Sequence, residues 1–134
     1  MKIVLDTNVW ISAFIFKGVP LRVISFSGSH YKIYSSIFLE NELEDKLANK
    51  FLLEPKLLTE LMDRFKNLTY FIECTTTLPS VCRDKDDNYI LQICESCGAS
   101  LLVTGDKDLL ELKTFQNTQI ISPSQFAELF INNQ

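Results

Sequence analysis

The sequence predicts an α/β fold, a largely parallel sheet covered by helices on both faces. Short apolar strands, KIVLD and SLLVTGD among them, alternate with segments of helical period, which is the pattern of βαβ units. Of the 134 residues 46% are hydrophobic and only 4 are Gly and 4 Pro, the composition of a chain that buries a core. No internal repeat, low-complexity segment or linker interrupts the alternation, so residues 1–134 read as a single domain.

Each element follows from local signals. KIVLD is a buried strand with Asp6 at its carboxyl end. Thr7 or Asn8 caps a first helix, NVWISAFIF, which Gly18 breaks. Pro20 suits the first turn of a second helix, LRVISFSG, which Gly28 ends. YKIYSS is a strand, and Ser35 or Ser36 caps the long amphipathic helix IFLENELEDKLANKF, with Phe38, Leu39, Leu43 and Leu47 on one side. Pro55 starts the helix KLLTELMDRFKNL, so two helices run between residues 36 and 67 with no strand between them. YFIECT is a short strand and LPSVCRDKDDN is irregular. Asp84 or Asp86 caps NYILQICESC, which stops at Gly98. SLLVTGD is a strand, DKDLLEL a short helix and TQIISP the last strand. Ser122 and Pro123 open a final helix, SQFAELFIN.

The bulk numbers exclude several classes. No apolar run approaches the ~20 residues of a membrane span, and the N-terminus lacks the basic region of a secretory signal, so a soluble cytoplasmic protein is expected. Cys94 and Cys97 form a CxxC, but they lie in an apolar-periodic helix, and the one His in the chain, His30, is far off in a surface loop. Reduced thiols fit better than zinc. The net charge of −4 argues against a large basic nucleic-acid surface, though not against acids gathered around cations.

In open α/β sheets, sites form beyond the carboxyl ends of the strands. Asp6 and Asp106 fall there. Glu42, on the helix after YKIYSS, and Asp87, at the start of the helix before SLLVT, lie near the same edge. Carboxylates packed together cannot all stay ionised without cations, and hard oxygen ligands suit Mg²⁺ or Mn²⁺. Each acid also has an ordinary reading. Asp6 is a possible helix cap, Glu42 shares a charged face with Glu40, Glu44 and Asp45, and Asp84, Asp86 and Asp87 crowd one helix N-terminus. Asp106 and Asp108 read as caps in the same sense. The functional reading rests on the four acids occurring together.

VLDTNVWISA, Ser36 followed by Glu42-Leu43, RDKDDNYILQIC and LLVTGDKDLL resemble, in order and spacing, the motifs of the PIN-domain family, which includes many bacterial toxins of toxin–antitoxin systems. The resemblance covers nearly the whole chain. It implies a three-layer α/β/α sandwich, Rossmann-like, with a mainly parallel sheet of about five strands. It also implies a metal-dependent ribonuclease in which Asp6, Glu42, Asp87 and Asp106 are the catalytic and metal-binding acids. Asp87 matches the third acid, seven residues before Cys94. Asp108 matches an additional acid, Asp84 supports the site, and Asn8 and Thr104 match polar positions that orient ligands or water. Glu40, two residues from Glu42, is the competing second acid; on a helix only one of the two faces the cluster.

The expected chemistry is hydrolysis of RNA by water activated by one or two Mg²⁺ or Mn²⁺ ions, leaving 5′-phosphate and 3′-hydroxyl ends. Lys17, Arg22, Arg83, Lys85 and Lys107 are candidate phosphate-positioning groups, each with solvated surface charge as its ordinary reading. The family implies a homodimer and a small antitoxin, for which Trp10, Phe14, Phe16, Val19 and Leu21 offer an apolar interface if they are not core. Two other readings stand beside this one. A non-catalytic RNA- or protein-binding module keeps the fold without turnover. An aspartate-nucleophile phosphohydrolase uses Asp6 directly, but that chemistry wants a second aspartate where Asn8 stands.

Overall fold

The structure is a computed structural model describing residues 1–132. Six strands, β1 (Lys2–Leu5), β2 (Lys32–Ser35), β3 (Thr69–Phe71), β4 (Leu101–Val103), β5 (Thr114–Phe115) and β6 (Thr118–Ile121), form one sheet. Its order is β3-β2-β1-β4-β6-β5. Every neighbouring pair is parallel except β5 with β6. The central strand β1 is apolar and closed on both sides: Ile3 pairs with Ile33 and Leu101, and Ile3, Val4 and Leu5 are fully buried.

The helices are α1 (Thr7–Ile15), α2 (Gly18–His30), α3 (Ile37–Asp45), α4 (Pro55–Leu68), α5 (Lys85–Cys97), α6 (Lys107–Leu112) and α7 (Pro123–Phe126). With the right-handed crossovers that parallel strands take, this order puts α1–α4 on one face and α5 and α6 on the other. Trp10 of α1 packs edge-on to Phe65 of α4 at 4.7 Å, and α7 packs on α2 through Phe126 and Phe26. The order of strands reverses direction between β1 and β4. The crevice at their carboxyl ends is therefore where a site is expected in such a sheet. No single helix among the described residues is long and apolar enough to cross a membrane.

Several elements differ from the sequence-based expectation. Asp6, not Thr7 or Asn8, occupies the N-cap position of α1, and its side chain makes no capping hydrogen bond. The turn between α1 and α2, bent by 111°, uses Lys17 at φ 63° together with Gly18, so Gly18 opens α2 rather than ending α1. Gly28 does not stop α2, which runs on to His30. A Cβ at Gly28 would come within 3.2 Å of Leu68 Cδ2, so the glycine serves close packing against the end of α4. His30 is accordingly helical, exposed and stacked on Phe26 at 4.0 Å. The helices beginning at Ile37 and Pro123 each finish in a π-helical turn, Lys46–Lys50 and Ala127–Ile131. The strand expected over YFIECT begins one residue earlier and is shorter, Thr69–Phe71. The two-residue strand β5 lies between Lys113 and Gln116, both at positive φ, where the sequence shows no strand signal. Gly98, at φ 69°, ends α5 in the left-handed conformation that glycine adopts without strain. The thiols of Cys74, Cys82, Cys94 and Cys97 are free, the last two buried on α5.

Candidate functional site

Strand ends and helix starts converge at the carboxyl edge of β1 and β4. β1 delivers Asp6, whose N–H continues the sheet by donating to Val103 O at 2.9 Å. β4 delivers Thr104 and then Asp106, the N-cap of α6. The Thr104 hydroxyl donates to Asp6 Oδ2 at 2.7 Å and accepts from the Asp106 N–H at 3.0 Å. Asp106 Oδ1 accepts from the Leu109 N–H at 3.0 Å, so the Asp6 carboxylate is held by the end of β4 and the Asp106 carboxylate by the first turn of α6. α5 delivers Asp87 in its first turn. Asp84 caps this helix by accepting from the Asp86 N–H at 2.9 Å. Asn88 fixes the preceding loop: its Oδ1 accepts from the N–H groups of Val81 and Cys82, and its Nδ2 donates to Cys82 O.

These acids share one small cavity of about 70 Å³, lined by Asp6, Asn8, Glu42, Lys46, Asp84, Asp86, Asp87, Ile90 and Asp106. Glu42 faces it from α3, while Glu40 turns away to pair with Lys66 at 3.5 Å. Carboxylate oxygens of Asp87, Asp106 and Asp108 come within 4.8 Å of one another. Asp108 also receives both hydrogen bonds of an exposed Arg83, at 3.1 and 3.2 Å. Lys85 and Lys107 are exposed first residues of α5 and α6. Lys17 is exposed at the α1–α2 turn, and Arg22 donates to Asn132 Oδ1 at 2.9 Å; neither lines the cavity.

Lys46 lies outside the motifs, and Asp86 and Asn88 lie within RDKDDNYILQIC with no role assigned to them from sequence. Lys46 is reachable from sequence only as the residue one turn after Glu42, from which its Nζ lies 4.0 Å. Asp86 reads as one more acid at a helix start, and Asn88 as the first residue of the helix rather than as the anchor of the loop before it.

The electrostatics follow from crowding in a place poor in water. Burial first, then the charges of Asp106 and Asp84, pushes the Asp87 carboxyl up to about 7. Burial also raises Asp6, against the Thr104 hydrogen bond, and raises Glu42, against the Thr7 hydroxyl and Lys46. The buried Oδ2 of Asp87 has no hydrogen-bond partner, an uncompensated polar atom of a kind folded proteins seldom keep. An all-oxygen donor set with one buried oxygen unsatisfied fits a small hard divalent cation.

Comparison with known proteins agrees with this architecture. In sequence the chain is 28% identical over 144 residues to the uncharacterized protein MJ1680 of Methanocaldococcus jannaschii, covering 97% of this chain and 92% of that protein. In structure it is similar to VapBC2 from Rickettsia felis, solved bound to a DNA fragment from their promoter. The TM-score is 0.68 at 14% identity, over 91% of this chain and 98% of that one. The family model described as PIN domain matches residues 2–108, and the chain belongs to the PIN-domain family.

Proposed function

We propose that this protein is a Mg²⁺- or Mn²⁺-dependent endoribonuclease of the cytoplasm, the toxin of a toxin–antitoxin pair. The observation that carries this reading is the unpartnered Asp87 oxygen, buried in a cavity walled by Asp6, Glu42 and Asp106. The family supports a nuclease, and the likeness in fold to VapBC2 is compatible with an antitoxin partner.

In this reading Asp6, Glu42, Asp87 and Asp106 hold the cation, with Asp108 beside them. The bound cation supplies Lewis-acid charge at the scissile phosphodiester and makes water nucleophilic at neutral pH. The chain itself does the positioning. Thr104 fixes the Asp6 carboxylate, the Leu109 N–H fixes Asp106, and Asp84 anchors the start of the helix that carries Asp87. Asn8 lines the cavity as a neutral polar group able to orient water. Lys46, Arg83, Lys85 and Lys107 add positive charge around the acids for the RNA backbone, and Lys17 and Arg22 extend it beyond the cavity. Cleavage leaves 5′-phosphate and 3′-hydroxyl ends.

A protein partner, antitoxin or second copy, has an apolar surface available. Trp10 is fully buried and belongs to the core, and Phe14, Val19 and Leu21 are partly buried. Phe16 is 71% exposed, meets Phe51 edge-on at 6.5 Å, and Leu52 is 77% exposed. Asp6→Asn tests the catalytic reading. The purified variant is expected to lose RNA cleavage in Mg²⁺ or Mn²⁺ while keeping its fold, and cleavage at the parent's rate overturns the mechanism.

A further inference from the structure

A second cavity, larger than the acidic one, is built on the same two helices. Its volume is about 360 Å³, within the range of small-ligand sites. Ser36 and Phe38, at the start of α3, line it together with Tyr89 and Gln92 of α5, Phe71 at the end of β3 and Cys74 in the loop beyond. Asp87 and Tyr89 are two residues apart on α5, so they are separated by only about 3 Å along the helix axis but point to different sides. The acidic cavity and this cleft therefore lie side by side.

The chemistry of the cleft is different from that of its neighbour. No lysine or arginine lines it, and its one charged lining residue, Glu73, repels a phosphate rather than holding it. Its aromatic side is the pair Phe38 and Tyr89, whose rings stack on each other at 4.3 Å, 15° from parallel, so that a further flat ring can continue the stack on an outer face. Phe71 is 58% exposed at its edge. Besides Glu73 and the Tyr89 hydroxyl, two polar side chains line it, Ser36 and Gln92. The Ser36 hydroxyl is buried without a hydrogen-bond partner. The Gln92 amide is held at the wall by donating to Thr76 O at 2.7 Å. A flat aromatic surface with one or two fixed polar groups is what an unstacked base needs, since every base has a π-face and a hydrogen-bonding edge.

We propose that this cleft is a subsite for an unpaired nucleobase, next along the RNA chain from the phosphate held at the acidic cavity. The base stacks on the Phe38–Tyr89 wall and takes hydrogen bonds from the side of Ser36 and Gln92. This rests on the ribonuclease reading above. An apolar side chain of a protein partner would also fill the volume, but it would leave the Ser36 hydroxyl unpaired.

The test is fluorescence polarisation of a short single-stranded oligoribonucleotide on the full chain in Ca²⁺, compared with the same oligonucleotide made abasic. The intact RNA is expected to bind at least about fivefold more tightly than the abasic one, the low end for loss of one stacked base. Tyr89→Ala removes that preference and Tyr89→Phe keeps it. Should Tyr89→Ala fail to fold by circular dichroism, Gln92→Ala, at a half-exposed position, reads the same preference and is expected to reduce it. Cleavage in Mn²⁺ is followed in parallel. Cleavage by the parent with no preference for bases overturns the subsite and leaves the nuclease reading standing. A base preference that depends on Tyr89, without cleavage, upholds the subsite and overturns the nuclease. No binding to either RNA overturns the subsite.

Discussion

Thr104 joins two acids at once: its hydroxyl donates to Asp6 Oδ2 at 2.7 Å and its oxygen accepts the Asp106 N–H at 3.0 Å. Thr104 is fully buried, so no water replaces either bond if the hydroxyl is lost. Thr104→Val keeps the shape and strands a buried carboxylate. Leaving such a group unsatisfied costs about 1–3 kcal/mol. Urea denaturation of the metal-free chain is expected to show a loss of that size, with Thr104→Ser losing less. An unchanged midpoint for Thr104→Val would show that the bond does not hold the edge together.

Glu40 and Glu42 differ in direction, not in chemistry. Glu42 lines the acidic cavity and Glu40 pairs with Lys66 on the outside of α3. Glu42→Gln is therefore expected to weaken Mn²⁺ binding and slow RNA cleavage. Glu40→Gln is expected to change neither, and to change stability by less than about 1 kcal/mol, as partly exposed ion pairs do. Calorimetric titration with Mn²⁺ separates the two variants, and an equal loss in both would remove Glu42 from the site.

The readable part of this molecule is the part set by local chemistry. Asp6 follows a run of three buried apolar residues, which marks a strand end in a parallel sheet. Gly98 follows a helical period and sits at positive φ. Both signals lie within a few residues of the feature they mark. Gly28 looks like the same helix stop, but its reason is Leu68, 40 positions away, and nothing in the neighbouring sequence shows that contact. Strand β5 has two residues, too few for any periodicity, and its turn uses Lys113 and Gln116 at positive φ instead of glycine. At the site, the acids stand out because a carboxylate beside apolar sequence is rare. Lys46 and Asn88 do not stand out, because a lysine on an exposed helix and an asparagine at a helix start are common.

The crowded acids give a pH dependence whose sign can be worked out. Asp87 is pushed from 3.8 to about 7 by burial and by its acidic neighbours, and Asp6 and Glu42 are raised in the same direction. Folding therefore takes up protons between these limits. The contribution to stability is fully present below the ordinary carboxylate range and is lost as pH rises towards 7. The metal-free chain is expected to melt at a lower temperature at pH 8 than at pH 5, and Asp87→Asn is expected to flatten that slope. Saturating Mn²⁺ acts in the opposite sense. Binding displaces the shared protons, so affinity rises from pH 6 to pH 8 and each binding event releases protons, which calorimetry in buffers of different ionisation heat detects. Affinity independent of pH would mean that Asp87 is already ionised without metal.

Arg83 makes two hydrogen bonds to Asp108, at the rim of the trio formed with Asp87 and Asp106. The guanidinium is 88% exposed, so the pair adds little to stability, and Arg83→Ala is expected to shift the unfolding free energy by less than about 1 kcal/mol. Its electrostatic effect is larger at the cavity. Removing a positive charge from beside three carboxylates raises their attraction for a cation, so Arg83→Ala is expected to bind Mn²⁺ more tightly, most visibly at low salt. RNA should respond in the other direction, because the same change removes a charge that faces the phosphates. Tighter Mn²⁺ binding with weaker RNA binding is the expected signature in parallel titrations. If Mn²⁺ affinity falls instead, Arg83 acts by holding Asp108 in place for the metal rather than by competing with it.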